Sequence, residues 1–134
     1  MRIEGTCLCG GIQFALRGPL PGIVQCHCSL CRRASGTAAI ATIGVPADQF
    51  DWISGEELIT IYKRPSGYGT AFCRICGSPA PDANRSRTRY GIPVGLLADS
   101  PDLAVTEHIF VGSKAGWEVI GGDAVCFEED KPRP

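Results

Sequence analysis

Seven of the eight cysteines in this 134-residue chain fall in three tight clusters: Cys7-Leu8-Cys9, Cys26-His27-Cys28-Ser29-Leu30-Cys31 and Cys73-Arg74-Ile75-Cys76. Nothing else in the sequence limits the fold as strongly, because thiolates gathered on one metal fix the relative positions of distant segments. The clusters divide unevenly. The first and third supply two thiolates each, together enough for a closed tetrahedral zinc site. The middle one supplies three and leaves a coordination position open. Closed sites hold folds together, whereas open sites do chemistry.

Composition narrows the setting. Lys plus Arg number 13 against 14 for Asp plus Glu, a formal net charge of −1 at pH 7. No overall basic field draws such a chain to nucleic acid or to an anionic membrane, although a local patch could still serve. The opening Met1-Arg2-Ile3-Glu4-Gly5-Thr6 lacks the apolar stretch of a signal peptide, and no apolar run approaches the roughly 20 residues of a membrane span. The expectation is one cytoplasmic domain over residues 1–134, with no membrane or nucleic-acid partner. Disulfides are rare in that compartment. A bridge within Cys7-Leu8-Cys9 or Cys26-His27-Cys28 would also close a small, strained ring. Metal is therefore the favoured use of these thiols, with a disulfide framework left formally open by the even count.

Glycine (17) and proline (10) punctuate short apolar runs, as in a β-rich domain with many turns. Ile12, Phe14 and Leu16 alternate with Gln13, Ala15 and Arg17 in a half-buried strand ended by Gly18-Pro19. Strands are expected over Gly22–His27, Thr37–Val45, Trp52–Gly55, Leu58–Arg64, Tyr68–Cys73 and Thr106–Gly112, with helical turns at Ser29–Ser35 and Ala47–Phe50. Arg89–Leu97 reads as an edge or bulged strand because Pro93 interrupts it. The tail from Glu128 is charged, contains proline and is expected to fray. The fold class is all-β with minor helix.

Cys73-x-x-Cys76-Gly77 has zinc-knuckle spacing, and the glycine permits the tight backbone that follows. Cys7-x-Cys9 serves the same metal if the chain there is extended, since residues i and i+2 share a face. Together they form a structural Cys₄ site that closes a loop of about 64 residues. In the middle cluster an extended segment points Cys26 and Cys28 one way and His27 the other, and Ser29-Leu30 curls back to bring in Cys31. His27 is then a core histidine, or one packed behind the site, rather than a ligand. A three-thiolate zinc face suits a thiol as its fourth ligand, and a thiol so bound is deprotonated.

Arg32 and Arg33 could offset the thiolate charge, hold a substrate carboxylate, or simply face solvent. Arg85, Arg87 and Arg89 form either an anion-binding rim on one side of a strand or a hydrated loop. Cys126, in Ala124-Val125-Cys126-Phe127, is expected to be a buried inert thiol; as a fourth ligand of the middle site it would close that site.

Three stretches resemble the glutathione-dependent formaldehyde-activating enzyme (GFA) family, whose relatives include the centromere protein V group. They are Gly5-Thr6-Cys7-Leu8-Cys9-Gly10-Gly11-Ile12-Gln13-Phe14, Cys26-His27-Cys28-x-x-Cys31-Arg32-Arg33-Ala34-Ser35-Gly36 and Phe72-Cys73-x-x-Cys76-Gly77-Ser78. Ser113-Lys114-Ala115-Gly116-Trp117 is similar to the family's segment near its C-terminal end. The resemblance implies an Mss4-like antiparallel β-sandwich of several short sheets. It implies two zinc ions per chain, a structural one on Cys7, Cys9, Cys73 and Cys76 and a catalytic one on Cys26, Cys28 and Cys31. The implied reaction is of carbon–sulfur lyase type, joining glutathione to formaldehyde as S-hydroxymethylglutathione, with Arg32, Arg33 or Lys114 as cationic substrate contacts. Ser78-Pro79-Ala80-Pro81-Asp82-Ala83-Asn84 departs from many relatives in lacking bulky apolar residues, so the shape of the pocket is this chain's own.

Three other functions compete: a thiol carrier without turnover, a zinc-stabilised interaction module, and a nucleic-acid binder, against which the net charge argues.

Overall fold

The computed structural model describes residues 1–65, 69–98 and 102–132. In chain order the elements are β1 (Arg2–Thr6), β2 (Gln13–Arg17), β3 (Ile23–Cys26), α1 (Ser29–Ser35), β4 (Ile40–Pro46), β5 (Phe50–Ser54), β6 (Ile59–Lys63), β7 (Gly69–Cys73), β8 (Asp82–Ala83), β9 (Arg89–Pro93), β10 (Val105–Ile109) and β11 (Val125–Cys126). One short helix among this many strands makes the chain all-β, as expected. The boundaries of α1 follow from local chemistry. Cys28 caps its N-terminus with the sulfur accepting from the Cys31 amide, and Gly36, at φ 67°, closes its C-terminus in the left-handed region.

Among the described residues the strands form three sheets: β1-β2-β5, the six-stranded β11-β10-β3-β4-β9-β8, and the hairpin β6-β7. The six-stranded sheet is mixed rather than purely antiparallel, because β10 runs parallel to both β3 and β11. The long connection from β3 to β10 permits this, whereas a tight hairpin would force an antiparallel pair.

The core lies between the first two sheets. Phe14, Leu16 and Phe50 from one face Ile43, Val45 and Ile92 from the other, all buried. Phe50 stacks on Phe14 at 5.5 Å and on Tyr90 of β9 at 4.0 Å, so one ring bridges the layers. Gly5 is opposite Phe14 in the β1-β2 register, and the Phe14 ring covers it so closely that a Cβ there would collide with the ring.

Several expectations need correction. Pro93 ends β9 instead of interrupting it, and a 3₁₀ turn, Val94–Leu96, follows. Of the two readings of Arg85, Arg87 and Arg89, the shared strand face is ruled out and the hydrated loop holds for Arg85 and Arg87. The first two occupy an exposed turn, and Arg89 Nη2 folds back to donate to the Gly44 carbonyl at 3.0 Å. The segment expected to fray from Glu128 is tied down as far as Lys131. The Phe110 amide donates to Glu129 O at 2.9 Å, that of Gly112 donates to Glu128 O at 3.1 Å, and Lys131 Nζ meets Glu107 at 3.1 Å. Tyr68, read above as the start of a strand, lies outside the described residues. No helix among the described residues is long and apolar enough to cross a membrane.

Candidate metal centres and the groove beside them

The first and third cysteine clusters meet. Cys7 follows β1, and the Gly10 amide turns back to Cys7 O at 3.1 Å. Cys73 ends β7, and the Gly77 amide closes the knuckle on Cys73 O at 2.8 Å with Gly77 at φ 78°. All four sulfurs lie within 4.8 Å of one another. Cys7 Sγ is 3.6 Å from Cys9 Sγ, which is 3.9 Å from Cys73 Sγ. A tetrahedron with metal–sulfur arms of about 2.3 Å has edges of about 3.8 Å, so the spacing suits zinc. The Ile12 amide donates to Cys7 Sγ at 3.3 Å. The hydroxyl and amide of Ser78 hold the Cys76 thiol down to about 5. The Gly11 amide pulls on Cys9 in the same sense, but the other three cysteines outweigh it and push Cys9 up to about 11. Four converging thiols cannot all ionise without a cation among them, which is the condition a divalent metal meets.

The middle cluster converges as well. Cys26 ends β3, and Cys28 is extended at φ −65°, ψ 156°. The first turn of α1 carries Cys31 back so that its amide donates to Cys28 Sγ at 3.3 Å. The three sulfurs lie within 4.8 Å of one another, and all three residues are half-buried. A hydrogen bond from Cys31 brings the Cys26 thiol down to about 6; the same bond, with burial, pushes Cys31 upward. This set too can hold a metal ion.

His27 points away from the three sulfurs, as the alternation requires. It is 1% exposed, and its Nε2 lies 2.9 Å from Nδ1 of His108, itself buried on β10. Burial, then the neighbouring His108, lowers its proton affinity. The expectation of a buried Cys126 is overturned: it is exposed on the outer strand β11, where both residues face solvent. In the sheet register Cys126 stands beside His108, which stands beside Gln25, not Cys26. Neighbours in register share a face, so Cys126 and Cys26 are on opposite faces. Among the described residues no fourth Cys, His, Asp or Glu joins the middle set.

A groove of about 640 Å³, lined by neighbours of this set but by none of its three cysteines, runs across the fold; its size is typical of small-molecule sites. Ser35, whose hydroxyl donates to Cys31 O at 2.9 Å, and Ile40, the β4 partner of Cys26, line its near end; Gly77 and Pro79 line the other. A second cavity of about 540 Å³ shares Ala34, Arg64, Thr70 and Phe72 with the first. Arg33 lines the second cavity. Arg32 is half-buried, with its Nε out of solvent and unpartnered. Lys114 is exposed, donates to Glu118 O at 2.9 Å, and lines neither cavity. Sequence reasoning missed Arg64 and Asp82, the charged residues of the groove. The one available signal was the run Ser78–Asn84, whose small residues leave the groove wide.

Comparison with known proteins agrees with these features. The family model of the glutathione-dependent formaldehyde-activating enzyme matches residues 2–113. A Halomonas elongata protein, provisionally named a glutathione-dependent formaldehyde-activating enzyme, is 32% identical over 129 residues, 90% of this chain and 82% of the relative. A solved structure of a Rhodobacter sphaeroides protein superposes with a TM-score of 0.57 at 27% identity, over 73% of this chain and 91% of that one.

Proposed function

Because this chain belongs to the glutathione-dependent formaldehyde-activating enzyme family, we propose that it is a zinc enzyme of carbon–sulfur lyase type. In this reading it adds a thiol, such as glutathione, to formaldehyde or a similar small aldehyde. Each chain carries two zinc ions, a structural one on Cys7, Cys9, Cys73 and Cys76 and a catalytic one on Cys26, Cys28 and Cys31. The observation that carries the reading is the imbalance between the two sets. Four sulfurs converge in one and three in the other, while His27 and Cys126 turn away from the smaller set.

The catalytic zinc, when bound, supplies the Lewis acidity that lowers the proton affinity of a thiol at its fourth position. The protein's own part is positional. The turn from Cys28 into α1 brings three sulfurs together, and in this reading the fourth position would open toward the groove that Ser35 and Ile40 line. In the balanced reaction the substrate sulfur forms a bond to the carbonyl carbon, the carbon–oxygen π bond breaks, and the thiol's proton ends on the new hydroxyl. In this reading Arg33, which lines the second cavity, or Arg32, whose Nε is buried and unpartnered, would hold a substrate carboxylate or steady the oxyanion. Lys114, the third cationic candidate, lines neither cavity, and its bond to the Glu118 carbonyl uses only one of three ammonium donors. Reduced thiols suit a reducing compartment, and we assign the reaction to the cytoplasm.

Proton NMR of glutathione with formaldehyde, with and without the zinc-loaded protein, tests this directly. Faster exchange between free and hydroxymethylated glutathione supports turnover. Binding without acceleration reduces the protein to a thiol carrier.

A further inference from the structure

The floor of the groove is the outer face of the six-stranded sheet, and the strand register identifies the residues that share that face. Cys26 stands opposite Ile40, Thr42 opposite Pro93, and Gly91 opposite Asp82. Ile40 and Thr42 are two apart on β4, as are Gly91 and Pro93 on β9, so all six occupy one face. Ile43, Val45 and Ile92 point the other way, into the core. Five of the six line the groove. The sixth is Cys26, whose Cβ lies about 5 Å from that of a directly opposed residue such as Ile40. Cys26 therefore heads the row. From β3 the row crosses β4 and β9 to β8, three strand spacings or about 14 Å.

This floor carries no charge before its last strand. Among the described residues that line the groove, Asp82 on the outer strand β8 is the one acid. Arg64 is the one cation, and it is turned to Thr70 Oγ1, to which it donates at 3.2 and 3.4 Å. Gly91 leaves the middle of the floor bare, although its backbone is ordinary strand and a Cβ there would meet only Asp82 O, at 3.9 Å. What glycine supplies at that point is room. A one-carbon aldehyde would leave nearly all of a 640 Å³ cavity unused. An uncharged chain trailing from a reacting carbonyl suits both the length and the lining.

We infer that the electrophile of this site is an aldehyde with an uncharged aliphatic chain, its carbonyl at the Cys26 end and its chain laid across β4 and β9, and that Gly91 sets the length accepted. This rests on the thiol-addition reading of the three-cysteine set. The substrate sulfur bonds to the carbonyl carbon, the carbon–oxygen π bond opens, and the thiol's proton ends on the new hydroxyl. The product is a hemithioacetal that keeps the chain. Each methylene buried on the floor should add roughly a fourfold preference.

The test assays zinc-loaded protein with glutathione and formaldehyde, propanal or octanal, dividing each rate by the uncatalysed rate of the same pair. The acceleration should climb along the series, by roughly tenfold or more from first to last. In Gly91→Phe the new ring would fill the floor about 10 Å from β3, and the octanal-to-formaldehyde ratio should fall roughly tenfold or more. Octanol, which cannot react, gives a readout free of chemistry. Titrated into isotope-labelled protein, it should shift the NMR amide signals of Thr42 and Gly91. Acceleration that stays flat or falls from formaldehyde to octanal, octanol shifts confined to other residues, or an unaltered ratio in folded Gly91→Phe overturns the inference and leaves the enzyme reading in place. No acceleration with any aldehyde removes the enzyme reading, and the inference falls with it. The wild-type series and the titration decide the matter by themselves if Gly91→Phe does not fold.

Discussion

His27 Nε2 and His108 Nδ1 lie 2.9 Å apart in the protein interior, and this bond decides which side chains can reach the middle cysteine set. His27 lies between two of the three converging cysteines, yet its imidazole is committed to β10 on the opposite face of β3. Cys126 shares that face through its register with His108. The two residues best placed in the sequence to complete a fourth ligand are therefore both turned away.

Removing His108 tests that commitment. In His108→Leu the buried His27 loses its partner, and the unfolding free energy should fall by about 1–3 kcal/mol in urea titrations. Metal content should not change. A loss of bound metal would place His27 among the ligands.

Cys126→Ser should be nearly silent, within about 0.5 kcal/mol of the wild type, with metal content unchanged. In the metal-loaded native protein Cys126 should be the thiol that iodoacetamide modifies first, read by peptide mass spectrometry.

The two cysteine sets should fail differently. A structural zinc contributes an apparent 10–16 kcal/mol or so, comparable with or larger than the roughly 5–15 kcal/mol of a whole domain. Cys73→Ser should therefore lose the cooperative thermal transition. Cys31→Ser should keep that transition and lose only the second metal. Unfolding of Cys31→Ser would make the middle cluster structural.

What the sequence made legible was local. Ligand spacing within Cys73-x-x-Cys76 and Cys26-x-Cys28-x-x-Cys31, and the capping that bounds Ser29–Ser35, depend on residues only a few positions apart. What it concealed depends on pairing at a distance. His108 is 81 residues from His27, and Arg64 and Asp82, far apart in sequence, line one groove with residues of β7 between them. Cys126 shows how composition misleads: its apolar neighbours suggest burial, but β11 is a two-residue outer strand with Val125 56% exposed.

Gly5→Ala should destabilise the fold by about 1–3 kcal/mol through overpacking, because the new methyl group would strike the Phe14 ring. Chemical denaturation measures the loss, and metal content should be retained.

Burial holds the Asp82 carboxyl above its ordinary range. A carboxyl whose folded-state pKa is raised favours the folded state fully below the unfolded-state pKa, and that contribution is lost as pH rises through the folded-state value. Asp82→Asn should accordingly gain stability over the wild type as pH rises from mildly acidic to neutral. Equal stability at all pH values would mean the carboxylate carries no burial cost.

The central claim is that one cysteine set is closed and the other open, and metal content read together with ligand response tests it most directly. The account predicts two zinc ions per chain. It also predicts that, after cobalt substitution, the thiolate charge-transfer bands shift when glutathione is added to the wild type and do not shift in Cys31→Ser. One metal per chain, or two metals whose cobalt spectrum ignores glutathione, would contradict it.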